Sequence, residues 1–218
     1  MKELVAAPGG ARVASRALYS LILALPLLSA CGSRERAPPP YEANPSPKEA
    51  YQVVVTTNDA PEEMHANSAY VTYKIADEGC LPPIENFEGV RYGLEEYSLD
   101  VPLERIDATT FKGTFFRDGV LSRDYFERGA CRWKVERVGT SLRTESTKSF
   151  TYFTISTTLE DGKETRYTSK IIEPLFSEGR VRAAKVTSES GFLKQVPENL
   201  RSNYFSITIS TLPRKDKQ

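Results

Sequence analysis

Residues 150–172 read FTYFTISTTLEDGKETRYTSKII, and this stretch decides the fold class. Phe153, Ile155 and Thr157 alternate with Tyr152, Thr154 and Ser156. A period of two sets one face of a strand on a core and the other in water. Asp161-Gly162 then separates that run from a second one over 165–172. Asp-Gly supplies the positive φ angles of a tight turn, so a hairpin is predicted here.

The same period recurs outward in both directions. Tyr51, Val53, Val55 and Thr57 alternate with Gln52, Val54 and Thr56, and Val71, Tyr73 and Ile75 with Tyr70, Thr72 and Lys74. Leu99, Val101 and Leu103 follow it, with Pro102 marking an edge strand or a bulge. So do Phe111, Gly113 and Phe115, then Cys131, Trp133 and Val135, and finally Phe205, Ile207 and Ile209. Gly139 is expected to break the chain after the Trp133 strand. One short helical turn is expected over 122–128, with Ser122 as N-cap and Gly129 as its stop. Eight to ten short strands over 51–218 predict an all-β fold, an antiparallel β-sandwich or barrel-like single domain.

The N-terminal end has a different composition. Lys2, Arg12 and Arg16 precede an apolar run, ALYSLILALPLLSA, over 17–30. Those 14 residues fall short of the roughly 20 that span a bilayer as a helix. A basic segment followed by a short apolar one predicts an export signal over 1–30. Leu28-Ser29-Ala30-Cys31-Gly32 resembles the lipobox of bacterial lipoproteins. The resemblance implies cleavage before Cys31, lipidation of its thiol and acylation of the new amine with chains such as palmitate. Two or more chains anchor stably, since each buried methylene contributes about 0.8 kcal/mol. Gly32 is not the aspartate associated with inner-membrane retention, so the expected location is the outer membrane, facing the periplasm. Residues 31–50 hold Cys31 and five prolines, and predict an extended, solvated tether of about 60 Å.

Charge and chemistry narrow the function classes. The chain has 29 basic and 29 acidic residues. Without residues 1–30, 26 bases and 28 acids remain, a balance that argues against nucleic-acid binding. The single histidine, His65, sits in a polar segment and is expected to be an exposed loop residue. One histidine excludes multi-His metal sites and leaves no base for the loosely serine-site-like Ser188, Ser190 and Gly191. No phosphate-binding glycine loop or nucleophile elbow occurs. No catalytic residue, metal or cofactor is predicted. With Cys31 assigned to lipid, Cys80 and Cys131 are the even pair expected to form a disulfide in an oxidising compartment. Cys131 and Trp133 share a strand face, which sets the bond beside the only tryptophan.

Residues 113–133, GTFFRDGVLSRDYFERGACRW, with Tyr73-Lys74-Ile75 before Cys80, resemble a pattern in small secreted or lipoprotein families of Proteobacteria, especially of the xanthomonad type. That resemblance implies an immunity lipoprotein guarding its cell against antibacterial effectors. It makes Phe116, Arg117, Asp118, Asp124, Tyr125 and Phe126 candidate partner-binding residues, since aromatic residues and arginine are enriched at interface cores. The alternatives are that the aromatics fill the interior and that the charges form local ion pairs. A second candidate is the acidic, aromatic stretch 84–97, with Phe87, Tyr92 and Tyr97. Its alternative is a strand pair facing the core. The expected partners are a membrane, reached through the lipid, and a protein: an effector toxin or lytic enzyme, or else an envelope component.

Overall fold

The computed structural model describes residues 39–91, 93–144, 150–160, 162–171, 181–183 and 185–214. The expected export signal over 1–30 and Cys31 lie outside them. The described residues form mostly antiparallel β-structure in two sheets. The first sheet runs β11 (Thr187–Ser188), β9 (Lys163–Ser169), β12 (Tyr204–Pro213), β1 (Ala50–Asn58), β6 (Thr110–Phe116) and β5 (Glu104–Arg105). The second runs β10 (Val181–Ala183), β8 (Phe150–Thr157), β7 (Trp133–Thr144), β3 (Ser68–Ile75) and β4 (Glu96–Pro102), with β2 (Met64–His65) also on β7. β10 joins β8 in parallel, a departure from the expected antiparallel pattern.

Alternation builds the core as expected. Val53 and Val55 of β1, Phe111 and Phe115 of β6, and Phe205, Ile207 and Ile209 of β12 are buried. They pack in one cluster with Val71 and Tyr73 of β3, Val138 and Leu142 of β7, and Phe153 and Ile155 of β8. Phe153 and Phe205 meet edge to face at 5.4 Å, bridging the two sheets. Pro102 ends the edge strand β4, where its missing donor breaks no ladder.

Four local expectations are corrected. The 150–172 stretch is not a hairpin, because β8 and β9 belong to different sheets. Gly162 adopts φ +63° and donates to Thr158 O at 3.2 Å, but the chain crosses from one sheet to the other. Turn chemistry sets the local bend, while core burial chooses the strand partners. Gly139 does not break β7 but lies in its interior, where the Tyr70 side chain covers it. Residues 122–128 form no helical turn: Arg123 bridges to Cys131, and the Asp124 carboxylate gathers the backbone N–H groups of Phe126, Arg128 and Gly129. His65 is half-buried in β2 against β7, not in an exposed loop.

Two elements carried no periodic signal. A short helix, α1 (Glu189–Gln195), is N-capped by Ser188, whose hydroxyl accepts from Gly191 N at 3.3 Å. That is the role of the serine-site-like trio. Residues 39–50 also depart from the expected solvated tether. They remain extended, but Ala43 bridges to Val120, Asn44 N donates to Gly119 O at 2.8 Å, and the Tyr41 side chain is buried. The described residues form one compact unit.

Candidate functional site

A second, smaller hydrophobic cluster holds Tyr41, Ile75, Cys80, Leu81 and Cys131, with Leu94, Tyr97, Tyr125, Phe126 and Trp133 packed against it. The predicted disulfide is present, with Cα atoms 5.3 Å apart across a separation of 51 residues. Closing a loop of that length constrains the unfolded chain by about 4 kcal/mol in the chain-entropy model. The bond lies beside Trp133 as expected, but in this cluster and not at the centre of the sandwich.

Tyr41 is the hub of the cluster. Its ring meets Trp133 at 4.6 Å, Tyr125 at 5.1 Å, Tyr97 at 5.8 Å and Phe126 at 6.1 Å, all edge to face. Such arrangements let positive ring edges meet negative faces. The hydroxyl donates to Leu94 O at 2.5 Å. Burial, with Tyr125 adding to it, pushes the Tyr41 phenol up to about 12. It therefore stays protonated and able to donate throughout the neutral range.

Two aspartates hold backbone around this cluster. Asp118 accepts from Lys48 N at 2.9 Å and from Glu49 N at 3.0 Å, clamping the arm to the turn after β6. Burial alone would raise its carboxyl; the Glu49 and Lys48 N–H donors and the Lys48 charge outweigh that and hold it below the usual range. The Asp124 carboxyl is lowered too, first by the Gly129 N–H, which with the Arg128 and Phe126 N–H donors outweighs the opposing effect of desolvation. Arg117 reaches Glu49 at 3.4 Å as an exposed ion pair, worth little by itself.

The candidate residues thus separate. Tyr97, Tyr125 and Phe126 are half-buried in the Tyr41 cluster. Phe116 is half-buried, and its carbonyl accepts the buried Tyr73 hydroxyl at 2.5 Å. Asp118 and Asp124 are engaged with backbone. Tyr92 lies outside the described residues. Phe87 alone of these candidates is fully exposed.

Phe87 stands on a built loop between Cys80 and β4. At the tip, the Asn86 amide donates to Val90 O at 2.6 Å and accepts from Val90 N at 3.1 Å. Gly89 supplies φ +68° for that turn. At the base, Arg91 donates to Pro82 O at 2.9 Å and pairs with Glu78 at 2.7 Å. The disulfide and the Tyr41–Leu94 hydrogen bond fix the two ends. Ile84 and Val90, both partly exposed, lie three residues to either side of Phe87 in the chain, and the exposed Glu85 and Glu88 add two negative charges to the same loop. The result is a preformed apolar tip with an acidic collar. Pro82, Pro83 and the acidic, aromatic composition were the signals available in the sequence; the pinning by Tyr41 was not among them.

Among the described residues, no three His, Cys, Asp or Glu side chains converge to hold a metal ion. Comparison with protein-family models, curated proteins and solved structures finds no match. The functional reading therefore rests on this chain's own residues.

Proposed function

We propose that this chain is a lipid-anchored binding protein of the bacterial envelope, attached through Cys31 to the outer membrane and facing the periplasm. It grips a protein partner with the Phe87 loop and carries out no catalysis. The favoured partner is an antibacterial effector or lytic enzyme, which makes the chain an immunity or inhibitor protein.

The fully exposed Phe87 on a pinned loop carries this reading. Burying such a side chain in a partner contributes about 1.5–3 kcal/mol. A loop already held in shape loses less entropy on binding, so more of that gain is retained. A protruding tip suits a concave enzyme cleft, and the Glu85 and Glu88 collar favours an apolar socket with a basic rim.

Two measurements test this. Mass spectrometry of membrane-extracted protein is expected to give an acylated Cys31 as the mature N-terminus; any other terminus ends the lipoprotein proposal. Deleting the gene is expected to sensitise cells to competing bacteria, and a Phe87→Ser chain is expected to fold without restoring protection. An envelope defect in the absence of competitors would instead support the alternative, a lipoprotein that binds other envelope components.

A further inference from the structure

A separate feature lies on the outer face of the second sheet. Tyr70 points away from the core, and its side chain lies across β7 over Gly139. A Cβ at position 139 would stand 2.4 Å from Tyr70 Oη and 2.5 Å from Cζ, so only glycine leaves the tyrosine room to lie down. Covering a strand glycine with an aromatic neighbour also shields the exposed backbone. Beyond the ring the sheet carries small side chains, Ser68 and Ser141, and then Arg143 with its cross-strand partner Tyr152. The outcome is a shallow cleft of about 250 Å³ with a floor of serines, lined further by Asp100, Asn67 and His65.

We propose that this cleft binds one pyranose ring of a glycan. A pyranose has an apolar C–H face and a rim of hydroxyls that both donate and accept. The cleft matches both parts. Tyr70 and Tyr152 supply aromatic surface at either end. Asp100 only accepts and Asn67 does both, while Ser141 keeps capacity beyond its 3.0 Å hydrogen bond to Thr154 and Arg143, already engaged in the fold, has more donors than one partner uses. The lining carries one acid, one guanidinium and the His65 imidazole, a mixed set that favours a neutral polyol over an anion or a cation. The volume lies below the roughly 300 Å³ at which sites for drug-sized ligands begin, so a single sugar unit is the matching size. The open rim lets a longer chain continue past the bound unit. The site lies apart from the Phe87 loop and does not depend on the protein-binding role.

Two-dimensional NMR of the full chain with its disulfide intact tests this directly. Chitotriose and maltotriose serve as probes, and glycerol at matched hydroxyl concentration serves as the control. At least one trisaccharide is expected to shift the amides of Ser68, Tyr70, Ser141 and Tyr152 saturably. Tyr70→Ala is expected to weaken that binding at least tenfold. Gly139→Ala, which tilts the Tyr70 side chain without touching ligand, is expected to weaken it severalfold while the remaining spectrum stays folded. The proposal is overturned if neither sugar shifts these amides at millimolar concentration, if the shifts fall elsewhere, or if glycerol reproduces them.

Discussion

Phe153 and Tyr41 are both buried aromatic side chains, yet they are buried by different routes. Phe153 belongs to β8, and alternation along that strand and its neighbours turns it inward to meet Phe205. Its burial repeats, with small changes, at inward positions of β1, β3, β6, β7 and β12. Tyr41 belongs to no strand. It is enclosed by Tyr97, Tyr125, Phe126 and Trp133, which arrive from separate parts of the chain, and by the disulfide between Cys80 and Cys131. The sandwich is a periodic solid that any one strand samples. The Tyr41 cluster is a closure, in which each segment lacks a partner until the others are in place. A defect in the first should be felt globally, and a defect in the second first at the segments it gathers.

The largest expected effect is on the sandwich. Phe153→Ala should lower unfolding free energy by about 3–5 kcal/mol, read from urea denaturation, with all probes moving together. A loss under about 1 kcal/mol would mean that the interior is not the common support claimed for it. Reducing the Cys80–Cys131 bond should cost about 2–4 kcal/mol, and Trp133 fluorescence should change before the β-sheet circular dichroism does. Simultaneous change would erase the distinction between the two regions. Tyr41→Ala should cost about 2 kcal/mol, with faster hydrogen exchange at residues 82–95 and no early change in β8.

A smaller effect separates the arm from the cluster it plugs. The Asp118 carboxyl is depressed in the folded protein, so its contribution is complete above the ordinary aspartate value of about 4. That contribution fades as pH falls through the lower, folded value. Exchange at the Lys48 and Glu49 amides should therefore quicken in acid, and Asp118→Asn, costing about 1 kcal/mol, should remove that pH dependence. The smallest effect belongs to the exposed tip: Phe87→Ser should leave stability within about 0.5 kcal/mol of the parent.

The two regions also differ in how far the chain announces them. Strands β1, β3, β4, β6, β8 and β12 were legible because each has one wet face, and a wet face imposes polar residues at every second position. The same rule misjudged Gly139, since a strand glycine is read as a break unless the tyrosine across the ladder is known. It misplaced Asp161-Gly162 as well, because a local turn does not record which sheet the chain enters next. The pairing of Cys80 with Cys131 followed from arithmetic on three cysteines. Tyr41 among prolines, and the arm that Asp118 clamps, left no periodic trace. The candidate site was half legible: composition marked 84–97, but it did not separate Phe87, outside, from Tyr97, packed on Tyr41.

The clamped arm bears on how the protein would encounter partners on its own surface. For a chain anchored at Cys31, docking of residues 39–50 on the body takes about 37 Å, at about 3.1 Å per residue, off the roughly 60 Å reach of the whole proline-rich stretch. The volume such a body can explore scales with about the 3/2 power of tether length. Docking of residues 39–50 therefore raises the effective concentration of a partner held at the same membrane about fourfold, with no new contact to the partner itself. Asp118 holds only the Lys48 and Glu49 end of that arm, so acid release of its clamp leaves the leash as Tyr41, Ala43 and Asn44 set it.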